Sequence, residues 1–312
     1  MKSTEPRPLI VITGPTATGK TRLAARVAKA TDGEVISADS RQVYRGMDLG
    51  TGKDFDDYVV DGYLVPYHLV DIAEPGTEYN VYEFQQDFLK AYHHIVSRNK
   101  QPVLCGGTGL YIEAAISGYK LIKVPVNPRL RKELENLTME ELTHLLASMR
   151  SLHNTTDITE RNRLLRAVEI ETYYHENPNL QTRYPSLRPV LFGIHFEREA
   201  LRQRITQRLK TRLESGMLDE INELLNSGLK PGQLTFYGLE YRFLTRYATG
   251  EISYDEMFEK LNTAIHQFAK RQMTWFRRME RNGFAIHWID GNLSLEDKAR
   301  RVLENFNISK RI

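Results

Sequence analysis

Short apolar runs alternate with longer amphipathic stretches in the first third of the chain. The runs have the length and β-branched composition of buried strands, and they are Leu9 to Thr13, Glu34 to Ser37, Tyr67 to Val70 and Val103 to Cys105. Two of the intervening stretches, Val81 to Val96 and Leu110 to Ile116, have the apolar period of helices. This alternation predicts an α/β fold with a mostly parallel sheet flanked by helices and a ligand site at the carboxyl ends of its strands.

The pattern changes after Pro128. Leu130 to Arg150 and Glu160 to Asn177 predict helices with no strand between them, whereas Val190 to His195 predicts a return to the sheet. Ser253 to Arg281 predicts one long helix or two closely joined ones. We therefore expect a core formed by residues 1–124 and 188–312, with a helical insertion domain at residues 125–187.

The first predicted strand runs directly into a Gly-x-x-x-x-Gly-Lys-Thr loop, which precedes a helical stretch. In that context, loop amides and the positive end of the helix bind phosphate oxygens, while a lysine adds charge and a threonine hydroxyl is placed for Mg²⁺. The sequence thus predicts a diphosphate cradle of Gly14, Pro15, Thr16, Ala17, Thr18, Gly19, Lys20 and Thr21, with Thr21 as the protein ligand of a Mg²⁺ cofactor.

Composition excludes several classes of protein. The single cysteine, Cys105, rules out an internal disulfide and a cysteine zinc cluster among the 312 residues. The start of the chain lacks an apolar signal core, and no apolar run approaches membrane-spanning length, so we expect a cytoplasmic protein that does not act in a membrane.

Charge is informative through its distribution. A net charge of +3, from 43 basic and 40 acidic residues, argues against binding to nucleic acid by charge alone. Basic residues nevertheless concentrate in Arg198 to Arg212 and Lys270 to Arg281. Such runs are typical either of solvated helix faces or of nucleic-acid contacts.

Four further motifs follow the loop, namely Ile36 to Asp48, Gly106 to Tyr111, Asn162 to Glu169 and Lys270 to Arg277. In this order, from about Leu9 to Trp288, the chain resembles the tRNA dimethylallyltransferase (isopentenyltransferase) family of bacterial type. The resemblance implies a P-loop NTPase-like fold and transfer of a dimethylallyl group from dimethylallyl diphosphate. The acceptor would be N6 of the adenosine on the 3′ side of the anticodon in a subset of tRNAs, and diphosphate would be released.

The resemblance also assigns catalytic roles. Asp39 would be the general base that accepts a proton from N6, although a helix cap or a Mg²⁺ ligand is an alternative role for this carboxylate. Arg208 would contact the diphosphate, and Thr21 would act there with Mg²⁺. Arg204, one turn away on the same helix face, is as well explained by solvent exposure.

Contacts to the anticodon stem-loop of tRNA are likewise implied by the resemblance. The residues are Asp39, Ser40, Arg41, Gln42, Thr108, Arg131, Asn162, Arg163, Leu164, Leu165, Arg166, Lys270, Arg271, Gln272, Thr274 and Arg277. A stacked adenine cannot reach a buried donor, so we expect the enzyme to extrude it from the loop. No self-complementary apolar helix stands out, which favours a monomer.

Two segments depart from the family pattern. Glu240 replaces a glycine in a segment expected near tRNA. Residues 152–160 lack the prolines that usually precede Asn162 and Arg163 in the family. The alternatives to a tRNA prenyltransferase are a prenyltransferase that uses free adenine nucleotide, a P-loop kinase, and a non-catalytic RNA-binding or GTPase-like protein. The basic helix and the insertion argue against a small acceptor, which needs neither.

Overall fold

A computed structural model describes residues 7–119, 121–150, 160–180 and 184–309. The chain divides into two compact units, one of Met1–Gly118 with Ser186–Ile312 and the other of Tyr119–Pro185. The insertion predicted from the sequence spans 125–187, and most of its divergent segment, residues 152–159, lies outside the described residues.

A six-stranded parallel sheet organises the first unit. In chain order the strands are β1 (Pro8–Thr13), β2 (Gly33–Ser37), the short hairpin strands β3 (Val59–Val60) and β4 (Tyr63–Leu64), then β5 (Tyr67–His68), β6 (Gln101–Gly106), β7 (Arg188–His195) and β8 (Ile286–Asp290). The sheet order is β5-β2-β6-β1-β7-β8, with β3 and β4 paired separately. The predicted α/β fold is confirmed, and β8 was not predicted.

Helices follow three of these strands as crossovers or flanking elements. They are α1 (Lys20–Ala30), α2 (Val81–Ser97) and α3 (Gly109–Ser117). Helix α2 begins with a capping box in which Asn80 and Glu83 exchange side-chain and backbone hydrogen bonds. Helix α1 buries Leu23 and Val27 against the sheet. Residues 14–19, which with Lys20 and Thr21 form the loop predicted to bind phosphate and are called the phosphate-binding loop below, are therefore held between β1 and α1.

The unit Tyr119–Pro185 is helical in its described part. It contains α4 (Pro128–Glu133), α5 (Met139–Met149) and α6 (Arg161–Glu176). The single helix predicted over 130–150 is wrong, because Thr138 caps a new helix by accepting a hydrogen bond from the Glu141 amide. Leu134, Leu142 and Leu146 pack with Leu164 into a hydrophobic core of this unit.

The carboxyl-terminal part of the first unit is mainly helical. Its helices are α7 (Arg198–Glu214), α8 (Met217–Asn226), α9 (Pro231–Leu234), α10 (Leu239–Ala248), α11 (Tyr254–Arg281) and α12 (Leu295–Ser309). Helix α11 is continuous, which settles whether residues 253–281 form one helix or two. None of the described helices is long and apolar enough to cross a membrane.

Two hydrophobic clusters stabilise the first unit. One joins the sheet to α1 and α12 through residues such as Ile10, Leu23 and Phe306. The other packs the segment after β2, including Val43 and Tyr44, against α7, α8, α10 and α11. The segment that carries Asp39 is therefore fixed to the helical layer as well as to the sheet.

Candidate active site

Three segments meet at the carboxyl edge of the sheet. The phosphate-binding loop follows β1, Asp39 lies just beyond β2, and the glycine turn 106–109 follows β6, which lies between those two strands. A Cβ on Gly106 would lie 2.2 Å from the carbonyl oxygen of Ala38, so the turn and the Asp39 segment are in close backbone contact. The strand order thus brings the predicted donor and acceptor residues together.

The phosphate-binding loop is closed by its own hydrogen bonds. The Thr18 hydroxyl and the Lys20 ammonium both donate to the carbonyl oxygen of Pro15, at 2.9 and 2.7 Å. Gly14 has a φ of 147°, and a Cβ there would lie 2.6 Å from the carbonyl oxygen of Ile194. Because a side chain at this position would collide with backbone, the first glycine of the motif is required.

Burial and neighbouring charges shift the pKa of Lys20. Burial lowers the pKa of its ammonium group to about 8, with Arg208 acting in the same direction and Asp39 opposing it. The lysine is therefore charged at neutral pH but titrates within the range of ordinary assays. An anion bound beside it would raise that pKa, since the charged form gains a partner.

Asp39 caps a turn through one of its two carboxylate oxygens. Its Oδ1 accepts hydrogen bonds from the backbone amides of Arg41 at 2.8 Å and Gln42 at 3.4 Å, which makes it the cap of a turn. Among the described residues, Oδ2 has no hydrogen-bond donor. One oxygen is thus anchored to the backbone while the other remains able to accept a proton.

The neighbouring turn fixes the same segment. The Thr108 hydroxyl accepts a hydrogen bond from the Ser40 amide at 3.2 Å. Gln42 donates from Nε2 to the carbonyl oxygen of Gly52 at 3.0 Å, and the Arg41 guanidinium lies 5.5 Å from the centre of the Phe236 ring. The backbone of the Asp39 segment is therefore held from both sides.

A buried lysine secures the loop that follows. The side chain of Lys53 is 1% exposed and donates to the Asp48 carboxylate at 2.8 Å, as well as to Asp71 and to the Tyr44 carbonyl. On the other side of the loop, Glu220 accepts hydrogen bonds from three consecutive amides at residues 48–50, at 2.7–3.0 Å. The hydrogen bonds from Lys53 and to Glu220 hold this loop in place.

Helix α7 supplies arginines to the phosphate-binding loop. Arg208 donates from Nη1 to the Thr16 hydroxyl at 3.3 Å. Arg204 donates from Nε to the carbonyl oxygen of Ala17 at 3.0 Å, and its guanidinium stacks over Phe196 at 4.5 Å. Arg204 is therefore a support for the loop, a role that the sequence did not distinguish from solvent exposure.

Gln272 of α11 bridges two parts of the site. Its Oε1 accepts from the Thr16 amide and its Nε2 donates to the Gly107 carbonyl, both at 2.9 Å, and the side chain is buried. The sequence predicted a tRNA contact here and did not indicate this bridge. The helical spacing of the sequence could have indicated it, because Gln272 lies on the opposite side of α11 from the basic residues and so faces the protein interior.

The outer face of α11 carries the other residues predicted to contact tRNA. Lys270, Arg271, Thr274 and Arg277 are exposed. Between the two faces, the Arg278 guanidinium lies 3.9 Å above the Trp275 ring and pairs with buried Glu113 at 2.7 Å. Helix α11 thus presents a basic surface on one side and contacts the phosphate-binding loop on the other.

Within the unit Tyr119–Pro185, two of the predicted tRNA-contact arginines converge on one buried carboxylate. Arg131 binds Glu169 through two hydrogen bonds of 3.1 Å, and Arg166 pairs with the same group. Asn162 and Arg163 are exposed, Leu165 is half-buried, and Leu164 is fully buried in the core of the unit. The tRNA contacts proposed for these residues stay predictions.

The residues around Thr21 fit a magnesium ion that is held jointly with phosphate. Among the described residues, no group of three or more His, Cys, Asp or Glu side chains is arranged to hold a metal. The Thr21 hydroxyl contacts Cys105, a thiol that Asp39 and Asp57 also affect electrostatically. Mg²⁺ commonly takes one or two protein oxygens, with water and substrate phosphate completing its shell. Thr21 would hold the ion, with carboxylates nearby.

Comparison with known proteins identifies relatives along nearly the whole chain. The family model described as IPP transferase matches residues 42–279, and that described as isopentenyl transferase matches residues 8–62. The chain is 55% identical over 294 residues to "tRNA dimethylallyltransferase 2" of Bacteroides fragilis, covering 94% of this chain and 96% of that protein. It is 54% identical to "tRNA dimethylallyltransferase 1" of Parabacteroides distasonis, covering 98% and 99%.

A solved structure extends the similarity to three dimensions. The crystal structure of the full-length tRNA isopentenylpyrophosphate transferase from Bacillus halodurans is 30% identical in sequence and superposes with a TM-score of 0.71. The match covers 97% of this chain and 96% of that one. The overall fold described above is therefore shared with that protein.

Proposed function

Because the chain belongs to the IPP transferase family, we propose that it transfers a dimethylallyl group from dimethylallyl diphosphate to tRNA. The acceptor is N6 of the adenosine on the 3′ side of the anticodon in a subset of tRNAs. The observation that carries this proposal is the meeting of the phosphate-binding loop with Asp39 and Thr108 at one edge of the sheet. Donor and acceptor sites then lie side by side.

The chemistry is a substitution at carbon. The N6 lone pair attacks C1 of the dimethylallyl group, the bond from C1 to the bridging oxygen breaks, and that electron pair leaves with diphosphate. Asp39 accepts the N6 proton through Oδ2, the oxygen not held by the backbone. Lys20, Arg208 and the loop amides stabilise the charge that develops on the leaving diphosphate.

Magnesium is part of the proposal. When bound, the ion neutralises diphosphate charge and so lowers the cost of its departure. Thr21 would supply the protein oxygen for it, at the start of α1, where the helix dipole would also favour the anion.

The exposed basic face of α11 supports the role of tRNA as acceptor. Phosphate contacts by Lys270, Arg271 and Arg277 set the register of the anticodon stem-loop, while Asn162, Arg163, Arg166 and Arg131 supply further contacts; Leu164 is buried and supplies none. The target adenine leaves the loop stack to reach Asp39. We further propose that the enzyme works as a cytoplasmic monomer.

The test is incubation of the purified protein with Mg²⁺, dimethylallyl diphosphate and an anticodon stem-loop with three consecutive adenosines, followed by intact-mass analysis of the RNA. We expect the mass of one dimethylallyl group to be added. Asp39→Asn is expected to lower the rate by about 10²- to 10⁴-fold, since the amide cannot take the proton, with little change in RNA affinity.

Other outcomes would contradict specific parts of this proposal. Full activity in Asp39→Asn would exclude Asp39 as the base. Modification of AMP but not of the stem-loop would assign the protein to prenyltransferases of free nucleotides. Formation of ADP from ATP with no change in RNA mass would identify a kinase instead.

A further inference from the structure

Two arginines of α7 share one carboxylate beside the phosphate-binding loop. Asp54 pairs with Arg208 at 3.0 Å and with Arg212, one turn further along the helix, at 2.9 Å. The Arg212 side chain is only 11% exposed, whereas that of Arg208 is 33% exposed. The resemblance to the family did not indicate Asp54 or Arg212.

A glycine allows both guanidinium groups to lie against the same backbone. A Cβ on Gly52 would lie 2.8 Å from Nη1 of Arg212 and 2.9 Å from Nη2 of Arg208. Gly52 also has a φ of 81°, which disfavours any other residue. Since Arg208 also reaches the Thr16 hydroxyl, the arginine pair borders the phosphate-binding loop.

The two arginines favour the ionised form of Asp54. Burial alone would raise the pKa of the Asp54 carboxyl. Arg212 and Arg208 outweigh this effect and hold the pKa below its usual range, so Asp54 remains ionised. Burial raises the pKa of the nearby carboxyls of Asp57 and Glu240. Two guanidinium groups therefore pair with one ionised carboxylate, and one of them, that of Arg208, also reaches the Thr16 hydroxyl.

We propose that Arg212 is a second diphosphate-binding arginine, and that Asp54 is an internal counter-ion that competes with diphosphate for Arg208 and Arg212. This inference rests on the proposed function, since it assumes a diphosphate donor. In the free enzyme Asp54 keeps both guanidinium groups in place. Because it competes with the product, it also speeds the release of diphosphate after transfer.

The proposal predicts opposite effects from removing the two partners. Binding of inorganic diphosphate in the presence of Mg²⁺ is measured by isothermal titration calorimetry. Arg212→Met is expected to weaken binding at least about tenfold, because charge-assisted hydrogen bonds to phosphate are lost. Asp54→Asn is expected to tighten binding by about three- to tenfold, because a competing negative charge is removed.

If the ion pair between Asp54 and Arg212 were only structural, loss of either partner would weaken diphosphate binding. Arg212→Lys keeps the charge and is expected to recover part of the affinity lost in Arg212→Met. Lys210→Met, on an exposed position of the same helix, is the matched control and should bind diphosphate like the wild type. Stem-loop affinity should be unchanged in all four variants.

Two results would overturn the inference. These are wild-type affinity in Arg212→Met, or weakened binding in Asp54→Asn. If either occurs while the wild-type protein still prenylates the stem-loop, only this inference fails. If the wild type neither binds diphosphate nor modifies the stem-loop, the proposed function fails and the inference falls with it.

Discussion

We expect Lys20 to make diphosphate binding depend on pH. Since burial lowers its pKa to about 8, the lysine loses its charge as the pH rises through that value. Bound diphosphate stabilises the charged form and raises the pKa, so binding near pH 8 must take up protons. We expect wild-type affinity for diphosphate to fall as the pH increases from 7 to 9.

The measurement is calorimetric titration of diphosphate at pH 8 in two buffers of different ionisation enthalpy, which reports the protons taken up. Lys20→Arg is the matched control, because a guanidinium stays charged throughout this range. Protonation of the ligand itself contributes equally to both proteins. Equal proton uptake by wild type and Lys20→Arg would mean that Lys20 does not titrate near pH 8.

We expect helix α11 to take part in binding both the donor and the acceptor. Gln272 on its inner side contacts the phosphate-binding loop, whereas Arg277 on its outer side is exposed. Gln272→Met leaves the Thr16 amide and the Gly107 carbonyl without their partner. We expect it to lower kcat/KM for the allylic donor by about tenfold, with stem-loop affinity unchanged, as measured by steady-state kinetics and RNA titration.

Arg277→Ala is the matched variant from the other face of the same helix. It should weaken stem-loop binding by about three- to tenfold and make its dependence on salt shallower by about one phosphate contact. Diphosphate binding should not change. Loss of RNA affinity in Gln272→Met, with none in Arg277→Ala, would reverse the assignment of the two faces.

The elements differ in how far the sequence could predict them. Strand β1 and its loop carry a local motif, and β2 and β6 were recognisable as apolar runs, so the meeting of Asp39, Thr108 and the loop followed from parallel strand order. The pairing of Asp54 with Arg212 joins residues 158 positions apart, and no local pattern encodes it. The break between α4 and α5 was encoded by the Thr138–Glu141 capping box and was missed.

On the scale of the whole molecule, the residues predicted to bind diphosphate and part of the predicted RNA surface belong to different units. The first unit has its own hydrophobic clusters around the sheet and the carboxyl-terminal helices, and it contains Lys20, Asp39 and Arg208. The unit Tyr119–Pro185 has a separate core and carries Arg131 and the segment Asn162 to Arg166. Since each unit buries its own apolar residues, the first should fold without the second.

Replacement of Tyr119–Pro185 by a flexible glycine-serine linker tests this division. We expect the shortened protein to keep diphosphate affinity within about threefold and to lose stem-loop affinity by at least about tenfold, because several phosphate contacts disappear together. Calorimetry with diphosphate and RNA titration at fixed salt measure the two effects. Retained stem-loop binding would place the RNA contacts on the first unit alone, and lost diphosphate binding would show that this unit depends on the insertion to fold.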